Sequence, residues 1–222
     1  MPQAISDEKK ELAYKQVFAI YAKYGFEKIS MDEVSARINI SKATLYKYFK
    51  SKEDIVKHMV RNITAHMDSM NFTADGGINA VLDSIRNCYR KAVLVTVQVG
   101  SVFMADLKNK FPDLYREYIT ALKSVHNRFQ TFYKDAVKKG YCRNIYIQFV
   151  SIQMKNVLPR RISSSYQNKY DIDLQTVIEE YYKLLLCQLL DERYIYVIKQ
   201  DCQYIFSKEL AEILTNTLLM AD

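Results

Sequence analysis

The stretch from residue 30 to residue 54 constrains this chain most: Ser-Met-Asp-Glu-Val-Ser-Ala-Arg-Ile-Asn-Ile-Ser-Lys-Ala-Thr-Leu-Tyr-Lys-Tyr-Phe-Lys-Ser-Lys-Glu-Asp. Three helix starts lie within it. Ser30 with Glu33, and Ser51 with Asp54, have the spacing in which a hydroxyl caps a helix and an acid three residues on answers it. Ser41 offers a third cap. Between these caps, Val34 and Ile38 stand one turn apart, as do Leu45 and Phe49. The pattern predicts a short helix, a tight turn at Asn39-Ile40, a second short amphipathic helix, and the start of a long third one.

A helix reversed within about three residues needs a left-handed residue, and Asn takes that place where Gly is absent. Two short helices joined in this way form a helix-turn-helix, whose second helix enters the DNA major groove. The outward residues suit that use. Lys42, Thr44, Tyr46, Lys47, Tyr48, Lys50 and Lys52 carry cations and hydroxyls, and no acid stands between Glu33 and Glu53. Phosphate oxygens select such a surface.

The run Ile-Ser-Lys-Ala-Thr-Leu-Tyr-Lys-Tyr-Phe-Lys-Ser-Lys-Glu-Asp-Ile from Ile40, with Tyr-Gly-Phe-Glu-Lys-Ile-Ser-Met-Asp-Glu-Val before it, resembles the DNA-binding signature of the TetR (tetracycline-repressor-like) transcription regulators. The resemblance is close over residues 10 to 56 and faint beyond. Asn39 stands where the family usually has Gly, and Ser35 where it usually has Ala. The resemblance implies a homodimer that binds a near-palindromic operator in double-stranded DNA. Its implied DNA-binding residues are Ser30, Ser41, Lys42, Ala43, Thr44, Tyr46, Lys47, Tyr48 and Lys52. Lys42, Ala43 and Thr44, at the start of the recognition helix, are expected to face base edges, since Lys can address guanine O6 and N7 and a methyl can touch thymine. Lys47 reaches a base or a phosphate, while Tyr46, Tyr48 and Lys52 match family positions that clamp phosphates.

Composition agrees with an all-helical chain. Only 5 Gly and 3 Pro interrupt 222 residues, of which 49% are hydrophobic. The net charge is +7. Residues 1 to 61 hold 12 Lys or Arg against 8 Asp or Glu, an excess that suits a polyanion. Cys88, Cys142, Cys187 and Cys202 lie far apart with no Cys-x-x-Cys, which fits thiols in a reducing cytosol. No signal core and no apolar run of roughly 18 residues is present, so a cytoplasmic protein without a membrane span is expected. No cofactor or metal is expected. His58, His66 and His126 lack ligand spacing, and no nucleotide loop or nucleophile elbow suggests an enzyme.

The expected division is a DNA-binding domain at 1–54 and a helical sensing and dimerisation domain at 55–222, with the helix of residues 51 to 70 linking them. Other helices are expected at 7–24, with Tyr14, Val17, Phe18 and Tyr21 on its buried face, at 78–97 and 99–109, from Pro112 to about Lys139, with Leu122 on its inward side, and at 145–158. The last of these should break at Pro159 into a polar loop from Arg160 to Lys169. Segments 172–190 and 203–220 are apolar over a wide arc and end the chain. In TetR-like proteins such a pair forms the subunit interface, here implying Ile178, Tyr181, Leu185, Leu189, Leu210, Ile213 and Leu214. An unknown small-molecule effector is expected among Phe103, Met104, His126, Phe129, Tyr133, Met154 and Tyr182, types that line adaptable pockets. The family mechanism implies that the effector shifts the linking helix and releases DNA. Two alternatives stay open: a helical interaction protein that reads no DNA, and an architectural DNA binder without a ligand.

Overall fold

A computed structural model describes residues 7–162, 164–202 and 205. Among these the elements are helical: α1 (Asp7–Tyr24), α2 (Met31–Arg37), α3 (Lys42–Tyr48), α4 (Lys52–Asp68), α5 (Gly77–Gln98), α6 (Ser101–Lys110), α7 (Pro112–Lys138), α8 (Ile147–Ile162), α9 (Ser164–Tyr170) and α10 (Leu174–Leu189). A 3-10 helix (Glu192–Val197) and α11 (Ile198–Cys202) follow, and an isolated bridge pairs Cys142 with Leu190. The all-α expectation holds.

By its contacts the chain forms two units. One holds the described residues up to His66 together with Val97–Ala121, so α6 and the first part of α7 join α1 to α3 and most of α4. The other holds Met67–Thr96 and the described residues from Leu122 on.

The first unit is built on the apolar stripes expected of it. Val17 and Tyr21 of α1, Val34 of α2, Leu45 of α3, and Ile55, Val56, Met59 and Val60 of α4 are all buried. Tyr14 of α1 stacks on His58 of α4, with ring centroids 4.1 Å apart, and meets Phe49 edge-on at 4.4 Å. The start of α6 comes so close to α1 that only glycine fits at Gly100. A Cβ there would lie 1.9 Å from the Ala22 carbonyl oxygen. The carboxylate of Asp106, on α6, accepts hydrogen bonds from the main-chain N–H groups of Phe26 (2.8 Å) and Glu27 (2.9 Å), just past the turn that ends α1.

In the second unit, α5 and α10 meet through Tyr89, whose hydroxyl donates to the Ile178 carbonyl at 2.9 Å. Tyr182 donates to buried Asp201 at 2.6 Å, and Arg86 stands 3.4 Å from the other carboxylate oxygen. Arg128 of α7 closes the end of α4: its guanidinium donates to the carbonyls of Met67 (2.8 Å), Asp68 (3.2 Å) and Met70 (2.6 Å). Met67 and Asp68 end α4, where a helix leaves its carbonyls without intrahelical partners, and Met70 lies just beyond.

Three expectations need correction. Pro159 does not end a helix at 158; it lies inside α8. Leu158 and Ile162, one turn apart, are both buried, and that anchorage outweighs the main-chain bond the proline cannot make. The supposed polar loop to Lys169 is the last turn of α8 plus α9, and Gln167 donates to the Ile162 carbonyl at 2.9 Å across their junction. Leu122, placed on the inward stripe of α7, is exposed. The segment 203–220 lies outside the described residues except Ile205.

Candidate nucleic-acid interface

Ser30 caps α2 in a full capping box. Its hydroxyl accepts from the Glu33 N–H at 3.2 Å, and the Glu33 carboxylate accepts from the Ser30 N–H at 2.7 Å. Those hydrogen bonds from Ser30 hold the Glu33 carboxyl below the usual carboxylate range. At the other end of α2, Asn39 adopts φ 54, in the left-handed region. The Ile40 N–H reaches back to the Ser35 carbonyl at 3.0 Å and the Asn39 N–H to the Ala36 carbonyl at 3.2 Å. This pair of bonds is a Schellman motif, with Asn in the place glycine usually takes.

The turn delivers the chain into α3, where Ser41 accepts from the Thr44 N–H at 3.1 Å and its hydroxyl pairs with the Thr44 hydroxyl at 2.8 Å. Leu45 and Phe49 are fully buried and fix the rotation of α3. Lys42, Ala43, Tyr46 and Lys47 are therefore left exposed on its outer side, with Thr44 half-buried. Tyr48 is only 9% exposed, its ring edge-on to Phe49 at 6.4 Å. At the α3–α4 corner Ser51 accepts from the Asp54 N–H at 3.1 Å. Asp54 answers the Lys50 N–H at 3.1 Å, one residue before the one its spacing suggested. Lys52, opening α4, donates to the Glu27 carbonyl at 3.3 Å.

One feature of this surface was not visible in the sequence. The Lys42 ammonium of α3 forms an ion pair with the Asp32 carboxylate of α2, 2.5 Å away. The residues are ten apart, and only the geometry of the turn brings them together.

The expected effector residues divide between the two units. Phe103 belongs to the first unit, where its ring packs at 5.5 Å from Phe26, and Met104 lies one residue on. The Tyr133 and Tyr182 hydroxyls are engaged with the Arg143 carbonyl (2.6 Å) and with Asp201. His126 faces the Gln130 side chain at 2.9 Å, Met154 is half-buried, and Phe129 joins Phe72 (5.5 Å) and Phe132 (5.6 Å) in an aromatic cluster. A groove of about 570 Å³ lies beside that cluster, between the Met70–Asp75 segment and α7, and includes none of the expected residues.

Ile178, Tyr181, Leu185 and Leu189 of α10 are buried within the chain itself. Leu210, Ile213 and Leu214 lie outside the described residues. The exposed apolar residues nearby are Leu184 of α10, Phe149 and Ile152 of α8, and Tyr146 just ahead of α8. Among the described residues, no helix is long and apolar enough to cross a membrane.

Residues 18–59 match the model of the bacterial regulatory proteins of the tetR family. An uncharacterised HTH-type transcriptional regulator of Bacillus subtilis, YuxN, is 31% identical over 88 residues, which are 40% of this chain and 29% of that protein. The matched segment thus spans less than a third of that relative. The fold is shared with the ketosteroid transcriptional regulator KstR2 of Mycobacterium tuberculosis, with a TM-score of 0.58 at 13% identity over 85% of this chain and 98% of the other. It is shared also with the TetR family transcriptional regulator PfmR of Thermus thermophilus, with a TM-score of 0.52 at 16% identity over 81% and 99%. The stretch of this chain that carries the helix-turn-helix, residues 18–59, is thus similar to the bacterial regulatory proteins of the tetR family.

Proposed function

We propose that the protein is a non-enzymatic, sequence-specific regulator of transcription that binds a near-palindromic operator as a homodimer in the cytoplasm. The observation that carries this reading is the outer side of α3. Lys42, Ala43, Tyr46 and Lys47 stand exposed on a helix that Leu45, Phe49 and the Asn39 turn hold in fixed orientation. Ala43, Thr44 and Lys47 read base edges, while Ser30, Ser41, Tyr46, Tyr48 and Lys52 position the phosphate backbone. A single helix of seven residues touches few base pairs, so two copies about one helical turn or more apart supply the specificity.

The surface we assign to the second copy is the exposed apolar side of α8 and α10. These helices pack together and leave Tyr146, Phe149, Ile152 and Leu184 to solvent. Phe149 is 70% exposed, and an outward aromatic of that size in a helical pair fits a subunit contact. We place the small-molecule effector in the groove beside Phe72 and Phe132, where Arg128 ties the lining to the last turn of α4. An effector that moves Arg128 loosens the carbonyl end of the helix whose other end follows α3, and so favours release from DNA. The functional division we assign is a head ending near residue 54 and a sensing domain beyond it, with α4 as the link.

Purified protein should bind DNA from upstream of its own gene, at two subunits per site, more tightly than scrambled DNA of equal length. Affinity should fall steeply as salt rises. Equal, weak binding to both across the salt series, with no selected sequence in a genome-wide capture of bound fragments, removes the DNA-reading function. Separately, Phe149→Glu should yield monomers in sedimentation. A dimer that survives it removes the surface assigned to α8 and α10.

A further inference from the structure

The ion pair between Lys42 and Asp32 sets a puzzle for a DNA-facing surface. An acid there repels phosphate, and Asp32 is no structural necessity: its side chain is 55% exposed, and Glu33, the neighbouring acid, already serves the capping box. Nor is Lys42 simply a phosphate clamp. Its ammonium, 62% exposed, is engaged by a carboxylate, so its charge toward the backbone is cancelled. An exposed ion pair of this kind contributes little to stability. Its position gives it another use. Lys42 is the first residue of the recognition helix, and Asp32 reaches it from the preceding helix, so the pair presents a donor and an acceptor side by side at one edge of the surface.

In the major groove a G·C base pair presents N7 and O6 of guanine as acceptors, and the N4 amino group of cytosine as a donor. O6 and N4 are hydrogen-bonded to each other across the base pair, so a donor and an acceptor in mutual contact can span them. An ammonium on O6 or N7 and a carboxylate on N4 match that edge. An A·T pair places the adenine N6 donor between the adenine N7 and thymine O4 acceptors, so an ammonium shared by two adjacent acceptors, as on guanine N7 and O6, has no counterpart there, and the thymine methyl meets a charged pair unfavourably. We propose that Asp32 and Lys42 act as one reading unit for a single G·C base pair in each half-site, with Asp32 a specificity-determining residue. The assignment rests on the DNA-reading function argued above and goes beyond it in naming the base pair and the acid.

The test is selection of bound duplexes from a randomised pool by the full-length protein, its Asp32→Ala variant, its Lys42→Ala variant and the double variant. The wild type should prefer G·C at one position of each half-site by roughly tenfold or more. Each single variant should lose that preference at the same base pair, and the double variant should lose no more than either alone. Both side chains are exposed, so matched thermal melts verify that the variants fold, and Asp32→Asn provides a second neutral replacement. If Asp32→Ala tightens binding to every sequence alike and keeps the wild-type preference, Asp32 is only a repulsive charge and the pairing is overturned. If the two variants alter different base pairs, the joint reading is overturned as well. A wild type that selects no sequence at all instead refutes the DNA-reading function itself, and the two failures are thereby distinguished.

Discussion

Replacing Gly100 by alanine tests a close packing contact in the first unit. Gly100 has φ −68 and ψ 158, a conformation open to any residue, so the substitution strains no backbone. The added Cβ would lie 1.9 Å from the Ala22 carbonyl oxygen and 3.1 Å from its carbon. Both are main-chain atoms of α1, so no side chain can turn aside to relieve the clash. An ordinary contact of about 3.5 Å requires α6 to retreat by on the order of 1.5 Å. Such overpacking costs about 1–3 kcal/mol. The retreat also stretches the two hydrogen bonds that Asp106 accepts from Phe26 and Glu27. Weakening these charge-assisted bonds adds about 1.5–3 kcal/mol. A total of roughly 2.5–6 kcal/mol, at about 2–4 °C per kcal/mol for a chain of this size, lowers the melting temperature by about 5–24 °C. Thermal unfolding followed by circular dichroism reads it. Gly100→Ser separates the causes. Gly100 is the N-cap of α6 and makes no side-chain cap bond, so Ser should improve capping while carrying the same Cβ. Both variants should therefore melt low. An alanine variant within about 2 °C of wild type, or a serine variant restored to it, refutes the reasoning.

Lys52→Ala should weaken binding to all DNA sequences alike and reduce the slope of log affinity against log salt by about 1, measured by fluorescence anisotropy; an altered base preference would count against its phosphate role. Arg128→Met keeps much of the apolar stem but removes the guanidinium donor to the carbonyls of Met67, Asp68 and Met70, and should destabilise by about 1.5–3 kcal/mol in urea unfolding. Burial against Tyr14 lowers the pKa of His58 from its ordinary value of 6.5, so the unfolded chain binds that proton more readily. The contribution to stability is complete above about pH 6.5 and is lost as the pH falls through the lowered folded value. His58→Phe should flatten that part of the stability curve between pH 7.5 and 5, and an unchanged slope would show that another group sets it.

The helix-turn-helix was legible because its signals are local. Ser30, Ser41 and Ser51 each receive the main-chain bond their spacing suggests, and Asn39 takes the left-handed turn. Long-range packing was not legible. The fit of Gly100 against Ala22 and the reach of Asp106 to Phe26 join residues some 80 apart, with no pattern to announce them. Pro159 reads as a breaker because nothing local reveals that Leu158 and Ile162 are buried on one face of a continuing helix. The stripe of Ile178, Tyr181, Leu185 and Leu189 shows the general difficulty: periodicity tells that a face is buried, but not whether the chain or a second copy covers it. Here the chain itself covers it. Aromatic residues such as Phe103 and Tyr182 fit a pocket or a core equally well by type, and their neighbours decide.

The central claim is that α2 and α3 present a surface that reads DNA sequence in two symmetric copies. Its most direct measurement is selection of wild-type-bound duplexes from a random pool at near-physiological salt, with the stoichiometry of the best duplex then determined by sedimentation. An enriched near-palindrome is expected, its half-sites about one helical turn or more apart, bound by two chains. A pool that stays at its input composition, at a salt concentration where the protein still retains DNA, would contradict it.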